Sequence, residues 1–150
     1  MRKTLVICAL ICNFMALPIT ALAQQSHEFN DYIVHYNALR SDLLPPQVAQ
    51  GYGIQRSSTR ALLNVTVMKK QPDGGAEMAV PARIDVNATN LTGQRRDVTL
   101  REIKDDSDAI YYIGELPVHN LETYQFKLEI LPEGETEPLL VDFRQQFYTE

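Results

Sequence analysis

Seven short stretches of the chain alternate apolar and polar residues, and turn-forming residues separate them. A period of two is the pattern of a β-strand that is buried on one face. It is clearest in residues 123–131, where four apolar side chains alternate with Gln125, Lys127 and Glu129. The predicted strands span residues 29–37, 60–69, 77–89, 95–103, 109–115, 123–131 and 139–148.

Two of these stretches depart from simple alternation. Val98 and Leu100 share a face, but the next apolar residue is Ile103, so the parity slips. This slip predicts a β-bulge near residues 101–103, or a strand that ends there. The second stretch, residues 109–115, is apolar on both faces, which predicts a central strand.

Seven strands at this spacing predict an all-β fold, an immunoglobulin-like antiparallel β-sandwich. The one helical candidate is a short turn near residues 45–50, because Pro45 and Pro46 suit a first turn and Gly51 suits a stop. The chain contains no internal repeat and no low-complexity tract.

The first 23 residues have the pattern of a signal peptide. Arg2 and Lys3 precede an apolar run, and Ala21-Leu22-Ala23 is a small-x-small cleavage site. We predict cleavage after Ala23 and, for a Gram-negative source, a periplasmic protein. The alternative is an uncleaved anchor, since residues 4–23 are about long enough to span a bilayer. After cleavage we expect no stable membrane span, a disordered lead-in over residues 24–28 and a single sandwich domain over residues 29–149.

Composition narrows the chemistry. Both cysteines, Cys8 and Cys12, lie in the predicted leader, so the mature chain has no disulfide, no thiol nucleophile and no thiolate metal site. Removal of Arg2 and Lys3 with the leader changes the net charge from −5 to −7. An acidic domain repels phosphate backbones, so we expect no nucleic-acid partner.

No motif indicates a catalytic, cofactor-binding or metal site. His27, His35 and His119 lack the spacing of metal ligands within one element. No His-x-Met pair exists, which argues against a soft Cu(I) site. The chain also lacks a Gly-x-Ser-x-Gly nucleophile elbow and a phosphate-binding loop. Two alternatives stay open: a small-ligand or metal carrier that uses His35 and nearby tyrosines, and a hydrolase whose carboxylates come from separate strands.

The longest irregular region, residues 38–59, is the candidate interaction surface. Connections of this length are often binding loops. We take Leu43, Pro45, Pro46, Tyr52 and Arg56 as its candidate residues, together with the strand edge near Pro81. The alternative is an ordinary crossover that caps one open end of the sandwich with its apolar side chains, which are Leu43, Leu44, Val48 and Ile54.

Six segments of the chain carry a further signal: residues 60–65, 93–103, 109–115, 122–123, 136–139 and 143–148. Together they resemble a family of small exported proteins of Gram-negative bacteria that is classed only as a domain of unknown function. The resemblance covers residues 28–149; it implies an exported, sandwich-like domain and carries no site residues. The function we predict is therefore a periplasmic, non-enzymatic interaction or assembly module that binds an envelope protein and needs no cofactor.

Overall fold

The computed structural model describes residues 25–150, and ten short strands contain just over half of these residues. Between β2 and β3 lie a 3-10 turn, Ser41–Leu43, and one short helix, α1, Pro46–Gly51. The strands are β1 (Gln25–Glu28), β2 (Tyr32–Arg40), β3 (Arg60–Lys69), β4 (Met78–Ala79), β5 (Ala82–Asn90), β6 (Arg95–Asp97), β7 (Arg101–Lys104), β8 (Ile110–Pro117), β9 (Thr123–Pro132) and β10 (Leu139–Gln146).

The strands form two antiparallel sheets. Sheet A has the order β1-β2-β3-β8-β7, with β4 also paired to β3, and sheet B has the order β10-β9-β5-β6. The main core lies between the sheets and takes alternate residues from both, such as Leu63 and Val65 of β3 and Phe126 and Leu128 of β9. The aromatic rings of Phe126 and Phe143 stack there with centroids 4.9 Å apart. The predicted all-β sandwich is confirmed.

The strand count differs from the prediction for physical reasons. The predicted disordered lead-in over residues 24–28 is wrong for Gln25–Glu28, which pair with β2 as β1. All four side chains of β1 are exposed, so the hydrophobic pattern carried no signal of this strand. The predicted strand over residues 77–89 breaks near Pro81, which has no N–H to donate. The predicted leader lies outside the described residues.

The parity slip between Leu100 and Ile103 marks a change of sheet. β6 pairs with β5 in sheet B, whereas β7 pairs with β8 in sheet A, so the chain crosses the sandwich between Asp97 and Arg101. The crossing segment runs tightly over Gly114 of β8: a Cβ there would lie 2.6 Å from Val98 Cγ1. A glycine is therefore required by this close approach.

β8 lies between β3 and β7, as its two apolar faces predicted. Its inward residues, including Tyr112 and Leu116, join the main core, while Tyr111 and Ile113 lie on the outer face of sheet A. Among residues 25–150, no helix is long and apolar enough to cross a membrane.

Candidate functional site: the loop on sheet A

The long connection between β2 and β3 packs on the outer face of sheet A. Ala49 and Ile54 of the connection are buried in a second hydrophobic cluster with Leu62 of β3 and Ile113 of β8. Leu62 belongs to the outer face because its neighbours Ala61 and Leu63 join the main core. The connection therefore covers a face of the sheet and does not cap an open end of the sandwich with Leu43 and Val48.

The end of α1 brings Ile54 into this cluster. The Ile54 N–H donates to the Ala49 carbonyl at 2.8 Å, and the Gly53 N–H donates to the Gln50 carbonyl at 3.2 Å. Gly53 has φ +62°, so the pair of bonds forms a Schellman motif. This motif places Ile54 against Ala49, and both residues face the sheet.

A buried serine joins the two ends of the connection. The Ser41 side chain is fully buried, and its hydroxyl donates to the Gln55 carbonyl at 2.8 Å. The same oxygen accepts the Ser57 N–H at 2.9 Å. A buried polar group with its partners in place holds one geometry, because breaking these bonds would leave the groups desolvated and unpaired.

Three arginines bind the connection from its borders. The Arg40 guanidinium contacts both carboxylate oxygens of Asp42 at 3.0 Å. Arg56 donates to the Asp42 carbonyl at 2.6 Å, and Arg101 of β7 donates to the Tyr52 carbonyl. The connection is thus fixed at its start, after its helix and before β3.

The five predicted site residues fall into three groups. Leu43, Pro45 and Pro46 are exposed, and Leu43 keeps 50% of its surface. Tyr52 is half-buried in the second cluster, with its ring centroid 6.3 Å from that of Tyr111. Arg56 is exposed and bonded to the backbone of the connection. The structure therefore brings the first three to the solvent side and assigns Tyr52 to the packed side.

Val48, which the capping alternative counted among its apolar side chains, is instead exposed next to the predicted site residues. Val48 keeps 39% of its surface, while its neighbour Ala49 is buried. We call Leu43, Pro45, Pro46 and Val48 the loop surface. Leu43 also lines a groove of about 510 Å³ with Leu39 of β2 and with Tyr148, which is 54% exposed. The exposed Val48 carried no distinct signal, because one and a half helical turns are too short for a readable period.

A second concave region lies elsewhere on the outer face of sheet A. It measures about 590 Å³ and brings together His35 of β2 and Tyr111 of β8. Glu77 and Asp108 also line it. In the described part of the chain, no three histidine, cysteine or carboxylate side chains are grouped so that they could hold a metal ion.

Two of the carboxylates with lowered pKa values, Asp105 and Glu122, support turns. A hydrogen bond from the Ser107 hydroxyl lowers the pKa of Asp105, which holds the turn before β8. Burial alone would raise the pKa of Glu122, but hydrogen bonds from Asn90 (2.9 Å) and the His119 N–H (3.0 Å) outweigh it and lower the pKa. These groups are kept ionised for structure, the opposite of what a general acid requires.

Two tyrosines of the main core, Tyr32 and Tyr112, have strongly raised pKa values. Burial, together with a hydrogen bond to Glu102, raises the pKa of Tyr112 to about 12. The Tyr112 hydroxyl accepts the Ala82 N–H at 2.8 Å, so it links sheet A to the start of β5. This side chain joins the two sheets.

Comparisons with known proteins agree with this fold. The model of DUF4426, a domain of unknown function, matches residues 26–150. A DUF4426 family protein from Pseudomonas aeruginosa has a similar structure: the TM-score is 0.70 and the identity 29%, over 83% of this chain and 94% of that one. FetP of uropathogenic Escherichia coli, expressed recombinantly in the periplasm, is similar with a TM-score of 0.57 and 14% identity, over 84% of this chain and 94% of FetP. The latter likeness is one of fold. A search of curated proteins finds no match.

Proposed function

This chain belongs to the DUF4426 family, a domain of unknown function, and we propose that it is an exported, non-enzymatic interaction module that binds an envelope protein. The partner contacts the loop surface with a complementary apolar patch. One observation carries the proposal: apolar side chains are left exposed on a connection that buried contacts hold in place.

A fixed apolar surface favours binding because little conformational entropy is lost when a partner docks. The second cluster and the Ser41 hydrogen bonds supply that order before any partner arrives. The groove beside Leu43 offers a place for one anchoring side chain of the partner. Leu39 and Tyr148 would flank that side chain.

Export is supported by the leader pattern of residues 1–23, with cleavage after Ala23. FetP, a protein of similar fold, was expressed in the periplasm. The mature chain has a net charge of −7, so it would repel a partner with an anionic surface. Apolar contacts do not have this cost.

Site-specific photocrosslinking in cells tests the proposal. A photoreactive amino acid at Leu43 or Val48 should capture the same envelope protein, whereas one at Lys127, exposed on sheet B, should not. Leu43→Asp should abolish the capture from position 48. Leu91→Asp is the matched control, because Leu91 is 72% exposed and lies on a turn outside the loop surface. Equal capture at Lys127, or capture that survives Leu43→Asp, would exclude the loop surface.

A second candidate, a small-ligand carrier, is favoured by the pocket that His35 and Tyr111 share. Native mass spectrometry and elemental analysis of protein purified from periplasm test it. A carrier would show a bound mass that is lost in both His35→Ala and Tyr111→Phe and retained in His119→Ala. A hydrolase using the same pocket would instead depend on Glu77 and Asp108, and would lose turnover in Glu77→Gln and Asp108→Asn.

A further inference from the structure

Sheet B ends in a long strand, β10, whose outer edge is free in the part of the chain that the structure describes. β10 pairs with β9 along all eight residues, from Leu139 opposite Ile130 to Gln146 opposite Thr123, without a bulge. Within residues 25–150 nothing pairs with the other edge of β10. Natural edge strands are usually short, bulged, or protected by proline or lysine. β10 is eight residues long and has no bulge, proline or lysine, although it carries the two exposed charges of Asp142 and Arg144.

The side chains of β10 carry opposite charges in a symmetrical arrangement. Val141 and Phe143 face the main core, and the alternate residues face outward. Among the outward residues, Asp142 and Arg144 are both exposed and flank Phe143. The strand is electrically neutral, so the negative charge of the whole domain is not concentrated at this edge.

We propose that β10 pairs in antiparallel register with β10 of a second copy of the chain, about a two-fold axis at Phe143. In this register Asp142 of each copy lies opposite Arg144 of the other copy, and Leu140 lies opposite Gln146. The two strands supply each other's missing backbone hydrogen bonds, and the two sheets become one continuous eight-stranded sheet. Leu140, which is 62% exposed in the single chain, is covered at the junction.

The charges select this register. A slip by two residues in one direction would place Asp142 of one copy opposite Asp142 of the other. A slip by two residues in the opposite direction would place the two Arg144 side chains opposite each other. Like charges directly opposite each other destabilise a strand pair, whereas opposite charges stabilise it. A slip by one residue would turn the apolar side chains of one strand to solvent. Among the registers within two residues of it, the proposed register alone avoids all three penalties.

The neighbouring strand extends the charge pattern. Lys127 of β9 lies opposite Asp142 within the chain. Across the junction, the outer face would therefore read Lys127, Asp142 and the other copy's Arg144, with alternating sign. The Gln125 side chain of β9 donates to both carboxylate oxygens of Asp142, at 2.9 and 3.1 Å, and so fixes this carboxylate on the outer face of sheet B.

Sedimentation of the purified mature chain, residues 24–150, tests the pairing without any partner protein. The wild-type chain should form a concentration-dependent dimer. Asp142→Arg and Arg144→Asp should each weaken the dimer by about tenfold or more, because each change turns both cross-strand pairs into like-charge pairs. The double variant Asp142→Arg/Arg144→Asp should dimerise like the wild type.

Mixing the two single variants gives the decisive result. At these two positions, Asp142→Arg carries two arginines and Arg144→Asp carries two aspartates. An equimolar mixture should therefore form a heterodimer, although each variant by itself dimerises weakly. Restoration cannot arise from misfolded variants, since a misfolded chain would not regain pairing. A monomeric wild type, or single variants that dimerise as well as the wild type, would overturn the proposal. So would a mixture that stays monomeric.

Discussion

The two outer faces of the sandwich differ in what they carry and in what covers them. The outer face of sheet A bears Leu62 and Ile113, and the β2–β3 connection is packed over both. The outer face of sheet B bears charged side chains such as Lys127 and Glu129, which are exposed. β8 is apolar on both faces, and its outer face is the one that the β2–β3 connection covers.

The contrast explains where the binding surface lies. The centre of sheet B needs no cover, because β9 alternates cleanly, with its apolar residues inward and Lys127 and Glu129 outward. Sheet A needs cover at β8, and the connection that supplies it holds the loop surface toward solvent. The β2–β3 connection therefore does two things: it buries the outer face of β8, and it exposes the loop surface to solvent.

The largest effect on stability is expected on the outer face of sheet A, under the β2–β3 connection. Ile113→Ala should lower the free energy of unfolding by about 2–5 kcal/mol, because it removes a side chain that is 4% exposed and leaves a cavity under the connection. Urea denaturation with an unchanged slope measures it. A loss below ~0.5 kcal/mol, the level of an ordinary surface substitution, would mean that the outer cluster contributes little.

The next effect concerns the hydrogen bonds that fix the connection. Ser41→Ala should cost about 1–3 kcal/mol, because the Ser57 N–H and the Gln55 carbonyl lose the buried hydroxyl that is their partner. Ser26→Ala is the matched control, because the side chain of Ser26 is exposed on β1. Equal stability losses in the two variants would contradict a special role for Ser41.

A smaller effect depends on pH. The folded-state pKa of Glu122 lies below its ordinary value of 4.5, so the ionised carboxylate contributes stability above that pH and loses it as the pH falls toward the folded-state pKa. Glu122→Gln should therefore destabilise by about 1 kcal/mol near pH 7, and the difference from wild type should shrink below about pH 4.5. Thermal melts from pH 3 to 7 measure this. Glu129→Gln on the bare face is the control, and a pH-independent difference for Glu122→Gln would refute the assignment.

The smallest effect on stability is expected on the outer face of sheet B, where Lys127 is exposed. Lys127→Ala should change the free energy of unfolding of the single chain by no more than about 0.5 kcal/mol, since the side chain is exposed on sheet B. The measurement is made at low protein concentration, so that self-association does not contribute. A loss near that of Ile113→Ala would end the distinction between the two faces.

Much of the fold was readable from alternation alone. β3 has the predicted bounds, and the clean alternation of residues 123–131 corresponds to β9. β1 was not readable, because its Gln-Ser-His-Glu sequence buries nothing and is held by backbone hydrogen bonds to β2. The change of sheet before Arg101 was visible only as a slip in parity, which a bulge would also produce.

The sequence predicted where the candidate site lies along the chain, but not which of its side chains face solvent. The length of the connection indicated a surface, and three of its predicted residues, Leu43, Pro45 and Pro46, are exposed. Sequence could not show that Tyr52 turns inward, because its partner Tyr111 is far along the chain and meets it only across the folded sheet. The same limit applies to the pocket of His35 and Tyr111, whose lining comes from distant strands.

Amide hydrogen exchange at Ile54 and Ser57 tests most directly whether the β2–β3 connection is a fixed surface. The Ile54 N–H is bonded to Ala49 and the Ser57 N–H to the buried Ser41 hydroxyl. We predict that both exchange far more slowly than in an unstructured peptide, and that Ile113→Ala accelerates both while β9 stays protected. Exchange of both amides at unstructured rates in the wild-type protein, with β3 still protected, would show the connection to be mobile and would contradict the account.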